Sequence, residues 1–131
     1  MAGDRADAAE WTEAEKENVR IVNGFCEVLT TRDPARILSF FAADIVYRPL
    51  ETRPAIEGAA FTAEIERWAD VFDHMELRVL ETFAAGPMVM NRRLDLFTGK
   101  RPPVRWEGVG VFFVKDGKIK EWFDYTIRFI R

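Results

Sequence analysis

One cysteine, Cys26, and one histidine, His74, are all that 131 residues supply of the side chains that form disulfides or favour zinc. A lone cysteine excludes an intrachain disulfide, and with a single histidine it cannot complete a zinc-ligand cluster. Basic residues are not in excess. Nineteen Lys and Arg stand against 22 Asp and Glu, a formal net charge of −3, so the basic footprint of a nucleic-acid binder is missing. The two signs are interleaved, which leaves no charged stripe for a membrane surface. No apolar run approaches a membrane span, and the opening MAGDRADAAE lacks the apolar centre of a signal peptide. These absences point to a cytoplasmic enzyme or binding domain with no resident metal, no nucleic-acid partner and no membrane partner.

Apolar side chains are abundant: 48% of the residues are hydrophobic and 13% aromatic, eleven of them Phe. In a chain long enough for one domain, that composition fits a densely packed interior or a roomy apolar cavity. Residues 1–10 are small and charged and read as a frayed arm, leaving 11–131 as a single folded domain.

Thr12 and Glu15 form the pattern of a capping box, and Val19, Val22, Cys26 and Leu29 recur behind it at helical spacing. A helix is therefore predicted over about 12–31. Asp33 and Pro34 suit the cap and first turn of a second, short helix ending near Ala43. DIVYRPL reads as a strand stopped by Pro49. After the loop ETRPAIEG, the residues Phe61, Ile65, Trp68 and Phe72 share one face of a third helix.

From Met75 the period changes to that of strands. ELRVLETFAAG, MVMNRRLDLF, VRWEGVGVFFV and KIKEWFDYTIRFI are joined by turn residues, among them Asp116-Gly117, a strong hairpin signal. Helices followed by a run of antiparallel strands describe an α+β domain, with helices on one face of a curved sheet.

Alternation puts Arg93, Asp95 and Phe97 on one face of their strand, and Arg92, Leu94 and Leu96 on the other. Either face can claim the core, because exposed charge on an antiparallel strand is ordinary. In the last strand, Asp124 lies between Phe123 and Tyr125 and shares its face with Trp122 and Thr126. An unpaired charge is costly to bury. Two inward aspartates would need a cation between them, and Arg93 is two residues from Asp95. Such an array would separate the two acids in pKa and suit a base and an acid acting on opposite sides of one substrate.

Trp106, Gly108 and Gly110 alternate on the neighbouring strand and are candidates to face a cavity. Trp68 and Phe72 are candidates for an apolar lining carried by the third helix, ordinary core packing being the alternative. His74 reads as a surface or capping residue at a helix-to-strand junction, and Cys26 as a small buried hydrophobe.

FFAADIVYRPL, RRLDLF and GVGVFFVKDGKIKEWFDY, with their spacing, resemble the limonene-1,2-epoxide hydrolase family. That family sits in the group of cone-shaped folds that includes nuclear transport factor 2 (NTF2), ketosteroid isomerase and the SnoaL-type polyketide cyclases. The resemblance spans about Glu17 to Arg128. It implies an NTF2-like cone around an apolar pocket and cofactor-free, one-step addition of water to a small or medium apolar epoxide. It implies Asp124 as the base that activates water, Asp95 as the acid that protonates the epoxide oxygen, and Arg93 as the bridge between them. Tyr47 would help hold the water. Trp122 would line or close the site, with Trp106, Gly108, Trp68 and Phe72 around the substrate. A homodimer through the outer sheet faces is also implied.

One position departs from the family pattern. The asparagine usual two residues after the tyrosine is here Pro49, which offers no side-chain amide and no N–H. Asn91, on the strand face of Arg93, is the candidate replacement. An isomerase or cyclase working from Asp124 and Tyr47, and a non-catalytic small-molecule binder, are the other readings.

Overall fold

The computed structural model describes residues 10–130, so of the predicted N-terminal arm only the exposed Glu10 can be placed. The capping box forms as expected: Thr12 Oγ1 accepts from the Glu15 amide, and Glu15 Oε1 accepts from the Thr12 amide at 2.8 Å. It starts helix α1 (Glu13–Val28), which a 3-10 turn (Leu29–Thr31) extends. The other oxygen of Glu15 accepts from the Gly86 amide at 2.7 Å, pinning the start of α1 to a distant hairpin turn. Asp33 caps α2 (Pro34–Leu38) through the Arg36 amide.

Helix α2 stops short of the predicted Ala43, because Phe41 already begins strand β1 (Phe41–Arg48). Ala42 and Ala43 have helical propensity, but the Phe40 carbonyl accepts from the Ile119 amide at 2.8 Å and draws the chain into the sheet. The loop ETRPAIEG contains a two-residue strand, β2 (Ile56–Glu57), paired antiparallel with β1. Two residues show no period, so nothing in the sequence marks it. Helix α3 (Ala59–Val71) buries Phe61, Ile65 and Trp68. Phe72 is not on that helix. It has extended backbone and opens β3 (Phe72–Ala85), earlier than the predicted start at Met75, and so His74 is an exposed strand residue. Strands β4 (Met88–Gly99), β5 (Val104–Lys115) and β6 (Lys118–Phe129) complete the chain.

The six strands form one sheet in the order β2-β1-β6-β5-β4-β3. Every pairing is antiparallel except β1 with β6, which run parallel and set Tyr47 beside Trp122. The helices cover the inner face. There Phe25, Phe41, Phe61 and Phe112 surround Trp122, with ring centroids 4.7–6.5 Å apart among the close pairs. Among the described residues no helix is long and apolar enough to cross a membrane.

Strand β4 settles which face carries the charges. Asn91, Arg93, Asp95 and Phe97 are buried, while Met90, Arg92, Leu94 and Leu96 alternate with them and stay half-exposed. The usual rule of apolar in and polar out is reversed along this stretch.

Candidate active site

Register brings the inward residues of three strands together. Across β4 and β5, Asp95 opposes Trp106, Arg93 opposes Gly108 and Asn91 opposes Gly110; across β5 and β6, Gly110 opposes Asp124. The Arg93 guanidinium, with no exposed surface, lies at the centre. Its Nε donates to Asp95 Oδ1 and its Nη2 to Asp95 Oδ2, both at 3.0 Å, a bidentate ion pair. The same Nη2 donates to Asp124 Oδ1 at 3.2 Å, and Nη1 donates to Asn91 Oδ1 at 2.9 Å. One cation thus joins two carboxyl groups, only 7% and 4% exposed, that would otherwise be unpaired in the interior.

Gly110 makes room for this array. A Cβ there would overlap Arg93 Nη1 and would sit 2.8 Å from the Phe112 ring and 3.0 Å from Asp124 Oδ1. Trp106, Phe112 and Trp122 lie around the guanidinium at 5.8–5.9 Å from their ring centroids. They add cation–π attraction while excluding water.

Asp124 is asymmetric. Its Oδ1 accepts from Trp122 Nε1 at 2.7 Å as well as from Arg93, whereas Oδ2 takes no donor from the described residues. Burial pushes its carboxyl up to about 7, with Asp95 acting in the same direction and Arg93 and the Trp122 N–H opposing. The Tyr47 ring lies against that of Trp122, tilted by 31° with centroids 4.2 Å apart. Burial, then the nearby Asp124, holds its phenol well above the ordinary value, so it is neutral and able to donate.

A cavity of about 350 Å³ opens onto these groups. Its inner wall holds Asp95, Asp124 and Tyr47 among Trp68, Trp106 and Trp122, with Phe72, Leu77 and Phe97 beside them. A mostly apolar recess with a few convergent polar groups is the usual form of a small-molecule site. No cluster of His, Cys, Asp and Glu suited to a metal occurs among the described residues.

The model of the SnoaL-like domain matches residues 22–122, well over half of the chain. The chain belongs to the SnoaL-like family. Its fold is the NTF2-like cone, and solved structures share it across most of their length. An LEH-like epoxide hydrolase from M. tuberculosis is 26% identical, with a TM-score of 0.77 over 86% of this chain and 84% of that one. SalBIII, an epoxide hydrolase/cyclase-like enzyme with a role in pyran ring formation in the polyether salinomycin, is 18% identical, with a TM-score of 0.78 over 88% and 94%. A protein of ketosteroid isomerase-like fold from Catenulispora acidiphila, in complex with trimethylamine, is 17% identical, with a TM-score of 0.69 over 80% and 83%.

In this SnoaL-like domain most residues singled out from the sequence converge, but three of those expected at the cavity do not line it, and the first of them, Gly110, lies against the Arg93 guanidinium instead. Gly108 does not line the cavity, because the Trp106 indole lies across it and fills the space a side chain would take. Asn91 does not reach the cavity either. Its carbonyl oxygen holds Arg93 and its amide faces the Cys26 thiol at 3.9 Å, so it orients the guanidinium and is not a holder of water. Phe72 reaches the cavity from β3 and not from a helix. Leu50, Arg53 and Arg67 also line the cavity, and no sequence pattern marks them. They sit in a loop and on a helix flank whose facing no period reveals.

Proposed function

We propose that this SnoaL-like domain is a cofactor-independent epoxide hydrolase acting on a small or medium apolar epoxide. The observation that carries this reading is the Asp95–Arg93–Asp124 array at the inner end of an apolar cavity. Arg93 supplies one positive charge for two buried carboxyl groups, and burial favours a proton at the Asp124 carboxyl up to about pH 7, so the site can hold one proton for the reaction. In the productive distribution Asp95 carries that proton. Water, held by Asp124 Oδ2 and the Tyr47 hydroxyl, gives a proton to Asp124 as its oxygen bonds to an epoxide carbon. The C–O bond of the ring breaks, and Asp95 protonates the departing oxygen. The product is a diol, and the pair ends with the one proton it began with.

Pro49 favours a second reading of the same machinery. With no asparagine to hold a free water, a hydroxyl already on the substrate can take the water's place, and ring opening then closes a cyclic ether. Labelled water separates the two: hydrolysis puts one ¹⁸O from solvent into the diol in the first turnover, whereas cyclisation leaves the product unlabelled. Asp124→Asn abolishes either reaction. Both need the shared proton, so turnover falls as pH rises through about 7. A one-base isomerase needs Asp124 ionised and would gain activity across the same range. A rising limb there, or an active Asp124→Asn, would remove the paired-acid mechanism.

The outer sheet face presents Tyr125 and Ile127, 38% and 42% exposed, beside the half-buried Leu94, Leu96, Val109 and Val111. We propose that this face pairs two copies into a homodimer. Sedimentation is expected to give twice the chain mass, and Ile127→Glu to return the monomer. A wild-type monomer at micromolar concentration would refute the pairing.

A further inference from the structure

The cavity is electrostatically two-ended. Among the described residues its only lining acids, Asp95 and Asp124, are buried at the inner end. At the rim, beside the exposed Val104 and Phe129, the lining includes two exposed arginines, Arg53 and Arg67, and no acid. Arg53 makes no ion pair or side-chain hydrogen bond among the described residues. The nearest acid along its loop, Glu51, is turned away: it accepts from the Thr126 amide at 3.1 Å and from the Thr126 hydroxyl. Glu64 holds Arg67 through Nε alone, at 2.7 Å, which fixes that side chain and leaves its terminal amino groups without a partner among the described residues.

We propose that the substrate carries a carboxylate at the end opposite its reacting group, and that Arg53 and Arg67 are the specificity-determining residues that hold it. The buried acids repel an anion from the inner end, so the apolar, reacting end enters first and the carboxylate stays at the rim. Between them the chain lies against Trp68, Phe72 and Trp106. Planar guanidinium groups suit the two oxygens of a carboxylate. The inference narrows the hydrolase reading to an epoxide that is apolar at its reacting end and anionic at the other, and it rests on that reading only for which end reacts.

Inert ligands test it without turnover. Saturated straight-chain alkanoic acids of graded length are titrated against the protein beside their methyl esters, and quenching of tryptophan fluorescence is followed at low salt. The acid of best-fitting length is expected to bind about tenfold tighter than its ester, and salt should shrink the difference. Arg53→Gln with Arg67→Gln should bring the acid down to the ester. Arg36→Gln, an exposed arginine on α2 outside the cavity, should leave the preference intact. Acid and ester binding alike, neither of them binding, or a preference that survives the double variant would overturn the proposal. Because these ligands carry no epoxide, a failed hydrolysis assay leaves this result standing, and a failed preference leaves the hydrolysis reading standing.

Discussion

Arg93→Gln is expected to destabilise the fold by about 4 kcal/mol near neutral pH and to abolish turnover. The stability loss comes from what remains behind. Asp95 loses both of its ion-pair bonds and Asp124 loses one of its two donors, yet both carboxyl groups stay buried. The pH dependence identifies the cause. In the wild type, burial raises the Asp124 carboxyl to about 7, above the about 3.9 of an unfolded chain. Its contribution to stability is therefore complete below the unfolded value and is lost as pH rises through about 7. Arg93 opposes that rise, so removing it pushes the carboxyl higher and extends the loss into alkaline solution. Denaturant unfolding should show the deficit of the variant growing above about pH 7 and shrinking towards about pH 5. A deficit independent of pH would mean that Arg93 contributes packing and not charge. Arg93→Lys should recover little, because an ammonium cannot reach Asp95 bidentately while holding Asp124 and Asn91.

Gly110→Ala is expected to lower turnover by about a hundredfold, the scale associated with a misplacement of roughly 1 Å at a reacting centre, and to destabilise by about 2 kcal/mol. The added methyl group would occupy the position of Arg93 Nη1, with Phe112 2.8 Å and Asp124 Oδ1 3.0 Å away. The guanidinium cannot retreat, since Asn91, Asp95 and Asp124 hold it from three directions. Substrate affinity should change far less than turnover, because Gly110 does not line the cavity. Steady-state kinetics check this directly, and a wild-type kcat in a folded Gly110→Ala protein would show that the array tolerates displacement.

Much of this molecule was legible in its residue order. The capping box of α1, the Asp33 cap, the Asp116-Gly117 hairpin and the four long strands are local, and each follows from residues within a few positions of one another. The same alternation that defines β4 groups Arg93 with Asp95 and Phe97, and in β6 it sets Asp124 with Trp122. The polar set of the site was therefore a property of the sequence alone, and so was the lack of residues for a cysteine–histidine zinc site.

Which way that set points was not. A period of two sorts side chains onto two faces without saying which one the helices will cover. In β4 the leucines went outward and the charges inward, a choice made by α1, α3 and the register with β5 and β6. Pairing decided the remainder. The parallel contact of β1 with β6 brought Tyr47 to Trp122, and Gly110 acquired its role only by lying opposite both Asn91 and Asp124. Phe72 left its helix, the Trp106 ring covered Gly108, and Arg53 and Arg67 met at one rim for the same reason: each depends on a partner distant in the chain. Residue order sets which chemical groups are present and which of them share a face. That the charged face is the inner one follows from the packing of α1, α3 and the neighbouring strands, because burial belongs to how elements pack and not to any one strand.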